Sequence, residues 1–462
     1  LKGMDINVSQ TLLFTLALAI SVVPEALPVI TTITLSRGAL KLAKEHVVVK
    51  RLSSLEDLGN IEVLCSDKTG TITKNELELN DCLAFNRDLC FDFGAILPSG
   101  YDKKILEENE FESAIWKKIS EETKDKIKKY KILWHEHFDP ATRISSTAFN
   151  NVDINECYLV IKGAPEEVFL KSKFILKDGK EELFKDYEND FKDKFEEFGK
   201  SGFRVLAIAF KKVSQKDDYG TDIDEGGFIL AGLFSFHDPL KATAKEAIAL
   251  AKKLNIEVKI ITGDSLEVAE YIGREAGILD AGERGVLGSQ LEMMEAEDFT
   301  RAVLGFRVFA RISPEQKYKI IQEIQKHKPV GFLGEGVNDA PALKLANVAI
   351  VVDSGADVAK EAADVILLHK DLKAIIDGIS EGRRIYMNII KYIKYTLTGN
   401  FGNFYAIAGV SLIIPYLPML PSQILLTNLL SDLPLMAVAS DNVDQSELKK
   451  PSHYNIRDIA MV

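Results

Sequence analysis

At 462 residues the chain is too long for one ordinary hydrophobic core, so two or three domains are expected. A formal net charge of -12 argues against a nucleic-acid partner. Four cysteines (Cys65, Cys82, Cys90, Cys157) lack metal-ligand spacing and read as reduced cytosolic thiols. The average of 46% apolar and 27% charged residues conceals a segregation, with greasy stretches near the two ends and charge in the middle.

The first element is an apolar stretch at 8–35, long enough for a hydrocarbon core that takes about 20 residues. It carries one charge, Glu25, between Pro24 and Pro28. The prolines remove backbone donors and break the helix, freeing carbonyls near Val22, Val23 and Ala26 as hard oxygen ligands. A carboxylate inside a span is costly and usually functional. A basic helical connector follows, with Arg37, Lys41, Lys44, Lys50 and Arg51. The apolar run 61–64 then leads into Cys65-Ser66-Asp67-Lys68-Thr69-Gly70-Thr71-Ile72-Thr73. A short strand ending in an acidic residue and a Gly-containing turn presents a carboxylate at the carboxyl edge of a sheet, where open α/β sheets put their chemistry. Such a carboxylate can attack a phosphoryl group. Lys68, Thr69 and Thr71 offer charge, hydroxyls and backbone groups to its oxygens.

From 74 to 231 charge is high, and runs such as 107–112 and 181–200 alternate sign at helical spacing. From 232 to 372 the runs 258–261, 308–310, 330–333, 348–352 and 365–368 read as buried parallel strands between amphipathic helices. The Asp67 strand is assigned to that sheet, which makes 74–231 a domain inserted after the nucleophile. Two further apolar spans are expected at 395–414 and 417–438, joined by a tight turn at 415–421. Arg383, Arg384, Lys391 and Lys394 precede the second span, so the middle of the chain is expected in the cytosol.

Other strand ends add to Asp67. Thr262-Gly263-Asp264-Ser265 precedes a helix and can cradle a phosphate. His237-Asp238-Pro239 closes an apolar run at 230–236. Gly334-Glu335-Gly336-Val337-Asn338-Asp339 follows 331–333. Lys317 lies six residues past Arg311, on a helix that Ser313 and Pro314 would start. A strand-end nucleophile, an anion turn, a downstream Lys and an acidic turn, in that order, form a strong combination.

The string Asp67-Lys68-Thr69-Gly70-Thr71 resembles the phosphorylation motif of the P-type ATPases, and the resemblance runs from Pro24 to the tail near Val462. It implies a haloacid-dehalogenase-like α/β phosphorylation domain (a doubly wound parallel sheet) at 51–73 and 232–378, with an α+β nucleotide-binding domain at 74–231. Membrane helices are implied at 1–50 and 379–440, and a cytosolic tail or loop at 441–462. Asp67 would attack the γ-phosphoryl of ATP. A Mg²⁺ cofactor would be held by Asp67, the Thr69 carbonyl and Glu335. Thr262, Lys317 and Asn338 would hold phosphoryl oxygens, with Gly263 and Asp264 nearby, and Asp339 would orient Lys317 or the metal shell. In the insert, Phe138 would stack on adenine, Glu112 would accept from its amine, and Arg143, Lys162, Gly163 and Arg204 would complete the nucleotide site, joined from outside the insert by Asp238 and Arg311. One departure stands out: where the family reads Gly-Asp-Gly, this chain reads Gly334-Glu335-Gly336. The longer acid should weaken Mg²⁺ binding for phosphorylation, since Mg²⁺ demands near-ideal octahedral geometry.

For the transported ion, Glu25, Asn400, Asn403, Asn428, Ser431 and Asp432 are the expected ligands, the last three sharing one helical face. Two carboxylates with amide and carbonyl oxygens suit a divalent cation. No Cys-Pro-Cys appears in the first span, which argues against a soft-metal pump such as a copper exporter. The segments Leu16-Ala-Leu-Ala-Ile-Ser-Val-Val-Pro-Glu, Asn400-Phe-Gly-Asn403 and Pro415-Tyr-Leu-Pro-Met-Leu420 look like the bacterial magnesium-transporting branch. The expected cargo is Mg²⁺, with Ca²⁺ as the alternative. Import is that branch's usual direction, though no residue shows direction. A second alternative is a soluble haloacid-dehalogenase-like phosphatase, whose usual general-acid Asp is replaced here by Thr69; an inactive binding protein is a third. The chain starts at Leu1, not Met, and reads as a core whose actuator domain and remaining spans are partners to be supplied.

Overall fold

The computed structural model describes all residues except 1–7, 69, 98–100, 102–105, 107–108, 140, 153, 415 and 452–462. Thr69 and half of the tail, 452–462, therefore lie outside the described residues. The chain forms two compact units. One comprises Leu1–Asp67, Ala242–Ile261 and Leu287–Val462, and the other Lys68–Lys241 and Thr262–Val286.

The first unit is built on a sheet whose centre is Val63–Ser66, four residues all buried. Val330–Gly334 and Glu257–Ile261 pair with it in parallel on its two sides. Val348–Val352 and Val365–Leu367 extend the sheet in parallel beyond the first, and Val308–Ala310 beyond the second. Val47–Val49 closes one edge antiparallel. Near-continuous Val, Ile and Leu runs suit such a sheet because both its faces are covered. The expected α/β sheet with the Asp67 strand inside it is what the chain forms. Parallel pairing also puts the loops after these strands on one carboxyl edge.

The helix Pro314–Gln325 starts where Ser313 and Pro314 predict. Ser313 Oγ accepts from the Gln316 N–H while the Gln316 side chain accepts from the Ser313 N–H, a reciprocal cap. A single helix, Leu372–Ile413, runs for 42 residues. Asp371 caps its start by accepting from Lys373 N, and also accepts from Thr243 Oγ1 at 2.9 Å. This helix crosses Ser54–Asn60 at Gly382 and Gly59, where a Cβ on either residue would come within 2.6 Å of the other helix's backbone, so only glycine fits. Arg383, next in sequence, is buried and donates to the carbonyls of Gly59, Ile61, Leu254 and Leu448 at 2.6–3.0 Å. Burial pushes its guanidinium down to about 10.

The apolar stretch at 8–35 forms two helices, Val8–Ile20 and Leu27–Lys44, parted around Pro24 as the prolines predict. Among the described residues one helix, Pro421–Ser440, is long and apolar enough to cross a membrane. The other two expected spans fall short. The break at Pro24 shortens the first, and the second is the end of the 42-residue helix, diluted by Asn400 and Asn403. Phe14, Leu18 and Ile424 pack together between the terminal helices, while Leu12, Leu16, Leu412, Leu426, Leu430 and Leu433 are exposed on their outer sides.

The second unit holds a largely antiparallel sheet. Lys131–Asp139, Ile144–Asn151, Glu156–Gly163, Arg204–Val213 and Phe228–His237 pair in that order, followed by Ser172–Lys177 and Lys180–Leu183. Its faces are filled by two apolar clusters, one around Phe93, Phe149 and Phe234, the other around Phe169, Phe184 and Leu233. Two expected boundaries differ from the borders of the strands and compact units. The border at 231–232 falls inside the strand Phe228–His237, whose ten residues form one apolar run. The segment Thr262–Val286, expected in the phosphorylation domain, packs in the second unit, where Tyr271 meets Phe203 with ring centroids 5.7 Å apart.

Candidate functional site

In the first unit Asp67 follows the central strand directly, and its side chain keeps about 30% exposure. Lys317, in the first turn of its helix, places Nζ 3.3 Å from Asp67 Oδ2 and 2.8 Å from Asp339 Oδ1. The other oxygen of Asp339 accepts from the backbone N–H groups of Glu335 and Gly336, at 3.2 and 3.1 Å. Asp339 therefore fixes the acidic turn and the lysine together. Burial alone would lower the Lys317 ammonium, but the Asp67 and Asp339 carboxylates outweigh it and hold the group above the usual lysine range. Asn338 is exposed on the same turn.

Register sets the rest of this edge. Ser66 pairs with Leu333, so Asp67 and Glu335 stand just past the ends of neighbouring parallel strands. The Glu335 carboxylate is engaged by Lys370 Nζ at 2.6 Å. Sequence reading missed Lys370, because nothing local marks it. Among the described residues, no three His, Cys, Asp or Glu side chains converge as a ready-made metal cluster.

In the second unit two expected site residues make contacts that sequence reading did not foresee. The Lys68 ammonium is buried and paired with Asp264 Oδ2 at 2.8 Å, with Asp238 Oδ2 at 3.9 Å. Asp238, expected beside the nucleotide, instead accepts from Thr73 Oγ1 at 2.6 Å and from Asn75 N at 2.9 Å; it pins the chain after the nucleophile's turn. Thr262 is buried, and its hydroxyl both accepts from Asp264 N at 3.2 Å and donates to that residue's carboxylate at 3.3 Å. Gly263 is exposed. Ser265 caps the following helix, its Oγ accepting from Val268 N at 3.5 Å.

A cavity of about 800 Å³ opens in the second unit, lined by Glu112, His135, Phe138, Arg143, Lys162 and Gly163 among others. Phe138 is 59% exposed, so its ring is available for stacking. Lys162 is buried and donates to Gly94 O, Ile96 O and Glu112 Oε1, at 2.8, 2.6 and 3.1 Å. Burial lowers its ammonium below the usual lysine range, against the pull of Glu112. A Cβ at Gly163 would lie 2.3 Å from Arg143 O, which explains the glycine. Arg204 does not line the cavity: it is exposed at the head of its strand, while Val205 and Leu206 line the wall. Arg311 belongs to the first unit and is exposed at φ 51°, so it is no part of this cavity. His135 and His137 line it and were missed; their i, i+2 spacing on a strand puts both on one face.

At the expected ion site, Asn428 Nδ2 donates to Ser21 O at 2.7 Å, beside the broken helix. The Asp432 carboxylate accepts from the Ala26 backbone and lies close to Glu25. Asn400 is buried. Ser431 does not share the face of Asn428 and Asp432: it is exposed, and its hydroxyl donates to Thr427 O at 2.8 Å within its own helix. Asn403 and Glu25 are exposed too.

Residues 88–243 match the family model described as "P-type ATPase, cytoplasmic domain N". A magnesium-transporting ATPase, P-type 1, of Escherichia coli K12 is 35% identical over 97% of this chain and 50% of its own length. A calcium-transporting ATPase 1 of Lactococcus lactis is 32% identical over 96% of the chain and 53% of its own. The chain thus spans about half the length of the curated relatives it matches. In fold it is similar to a zinc-transporting PIB-type ATPase in its E2.Pi state, with TM-score 0.63 and 21% identity over 90% of this chain and 55% of that one. The chain belongs to the P-type ATPase family.

Proposed function

We propose that this chain is the catalytic and ion-binding core of an ATP-driven cation pump that forms an aspartyl-phosphate at Asp67. The observation that carries this reading is a strand-end carboxylate 3.3 Å from a lysine which a second carboxylate holds in place. An Asp67 oxygen attacks the γ-phosphorus of ATP; a new P–O bond forms while the bond to the ADP oxygen breaks. Lys317 balances charge on the transferred group, and positioning of this kind does most of the work in phosphoryl transfer. Asp67 and Glu335 are hard oxygen donors at neighbouring strand ends, which fits Mg²⁺ completed by phosphate and water. When bound, that ion neutralises phosphate charge. Phe138 stacks on the adenine, and Lys162 shapes the cavity floor.

The proposed cargo is Mg²⁺, taken as substrate near Glu25, Asn428 and Asp432. The magnesium-transporting relatives and the hard donors support it; a calcium-transporting relative keeps Ca²⁺ as the alternative. The leucines exposed around the terminal helices support a bilayer setting, in the plasma membrane of a prokaryote with the catalytic units cytosolic. The actuator domain and further spans of the whole pump are its proposed partners. A soluble phosphatase would have no use for that apolar exterior.

Incubation of the protein with ATP labelled on its γ-phosphate, followed by acid quench, tests the reading. An acid-stable label abolished by Asp67→Asn supports it, and hydrolysis with no such label sinks it. Comparing Mg²⁺, Ca²⁺ and Mn²⁺ as stimulators of label turnover separates the cargoes.

A further inference from the structure

Lys370 stands three residues past the end of Val365–Leu367, on the same carboxyl edge as Asp67 and Glu335. Its ammonium contacts Glu335 Oε2 at 2.6 Å. The backbone beneath Glu335 has little freedom. Its N–H is held by Asp339, its carbonyl accepts from Ala356 N at 2.9 Å, and a Cβ at Gly355 would approach that carbonyl to 3.1 Å. Only the Glu335 side chain can move. The extra methylene of Glu relative to Asp lets the carboxylate reach sideways, past the strand Val348–Val352, to the lysine two strands away.

We infer that Lys370 is a positioning residue that competes with the catalytic Mg²⁺ for the Glu335 carboxylate, and so sets the Mg²⁺ concentration at which phosphorylation starts. The ammonium occupies Oε2, and it repels a divalent cation approaching the other oxygen of the same carboxylate. Mg²⁺ therefore gains the full charge of Glu335 only when the lysine swings away. Lys370 keeps 20% side-chain exposure and a flexible four-carbon stem, so it has somewhere to go. The pair is partly solvated and worth little in isolation, which makes the competition an adjustable threshold and not a block. This inference rests on the pump reading for its consequence, but its geometry stands without it.

The test is Mn²⁺ binding to the full-length protein, followed by electron paramagnetic resonance without nucleotide. Glu335→Gln identifies the signal of this site against any other. In Lys370→Met and in Lys370→Gln, Mn²⁺ should bind about fivefold more tightly. Lys370→Arg, which keeps the charge, should stay within about twofold of wild type. In parallel, the Mg²⁺ concentration giving half-maximal acid-stable label should fall by the same factor in the two neutral variants, with maximal label unchanged. Unaltered or weaker Mn²⁺ binding in both neutral variants would overturn the inference, as would a Glu335→Gln variant that loses no Mn²⁺ site. Failure of the pump reading looks different: no label at Asp67 in the wild type, with the Mn²⁺ shifts intact.

Discussion

Lys317 and Asp339 form the anchor of the first unit's carboxyl edge, with Nζ 2.8 Å from Oδ1 and both groups largely buried. The carboxylate also carries the turn at Glu335 and Gly336 on its second oxygen. Asp339→Ala leaves a buried ammonium short of one partner and two N–H groups unbonded. It should cost about 3 kcal/mol of stability and reduce acid-stable label by more than about tenfold. Thermal unfolding and the label assay check the two parts. Because the neighbouring carboxylates raise the Lys317 ammonium above 10.5, its stabilisation is fully present below that pH and is lost only as pH rises through the folded value. Lys317 therefore stays charged through the neutral range, and a fall of stability with rising pH should begin only above 10.5.

The cavity of the second unit separates binding from folding. Phe138→Ala removes an exposed ring, so it should weaken nucleotide binding by about tenfold and leave unfolding unchanged. Lys162→Met removes the donor to Gly94 O and Ile96 O and should lower both. Arg204→Ala should change neither by more than about twofold, since surface changes away from such features are small. Calorimetric titration with a nonhydrolysable ATP analogue distinguishes the three.

A pH effect is expected at His135. Burial and then His137 hold its imidazole below the usual histidine range, opposed by the Ser146 carbonyl and Glu112 and helped by Lys162. The folded ring prefers to be neutral, so the unfolded ring takes up its proton first as pH falls below 6.5. Stability tied to this ring is present above 6.5 and is lost on acidification. Amide protection factors in Lys131–Asp139, which correct for the intrinsic slowing of exchange in acid, should fall as pH drops from about 7.5 to about 5.5, and His135→Gln should flatten that slope.

Arg383 supports four carbonyls from Gly59, Ile61, Leu254 and Leu448. Arg383→Met should destabilise by more than about 3 kcal/mol, because several buried acceptors lose their donor at once. Arg383→Lys should recover little of it, since an ammonium cannot reproduce the planar fork. Denaturant unfolding of the two variants provides the comparison.

The sequence was most readable where local pattern and fold agree. Runs such as Val348–Val352 are apolar throughout because a covered parallel sheet leaves no wet face, and Ser313-Pro314 marks a helix start by its own chemistry. It was least readable where a partner is remote. A strand such as Phe228–His237 carries no sign of which sheet it will join. Lys68 and Lys370 have stems long enough to serve either phosphate or a neighbouring carboxylate, and only the tertiary structure chooses. Asp238 and Ser431 satisfy backbone or hydroxyl partners that an acidic or hydroxylated residue finds wherever it lands. Arg204 stands exposed at the head of its strand, outside the cavity that Val205 and Leu206 line, and nothing in its local sequence marks that position.

The 42-residue helix that begins at Asp371 has one further meaning. At 1.5 Å per residue it is a rod of about 63 Å, without a proline anywhere along it. One end is tethered through Asp371 to Thr243, the third turn is locked at Gly382 and Arg383, and Asn400 lies farther along. Between that lock and the asparagine no proline supplies a joint. A tilt or twist of the locked segment therefore carries along the rod toward Asn400.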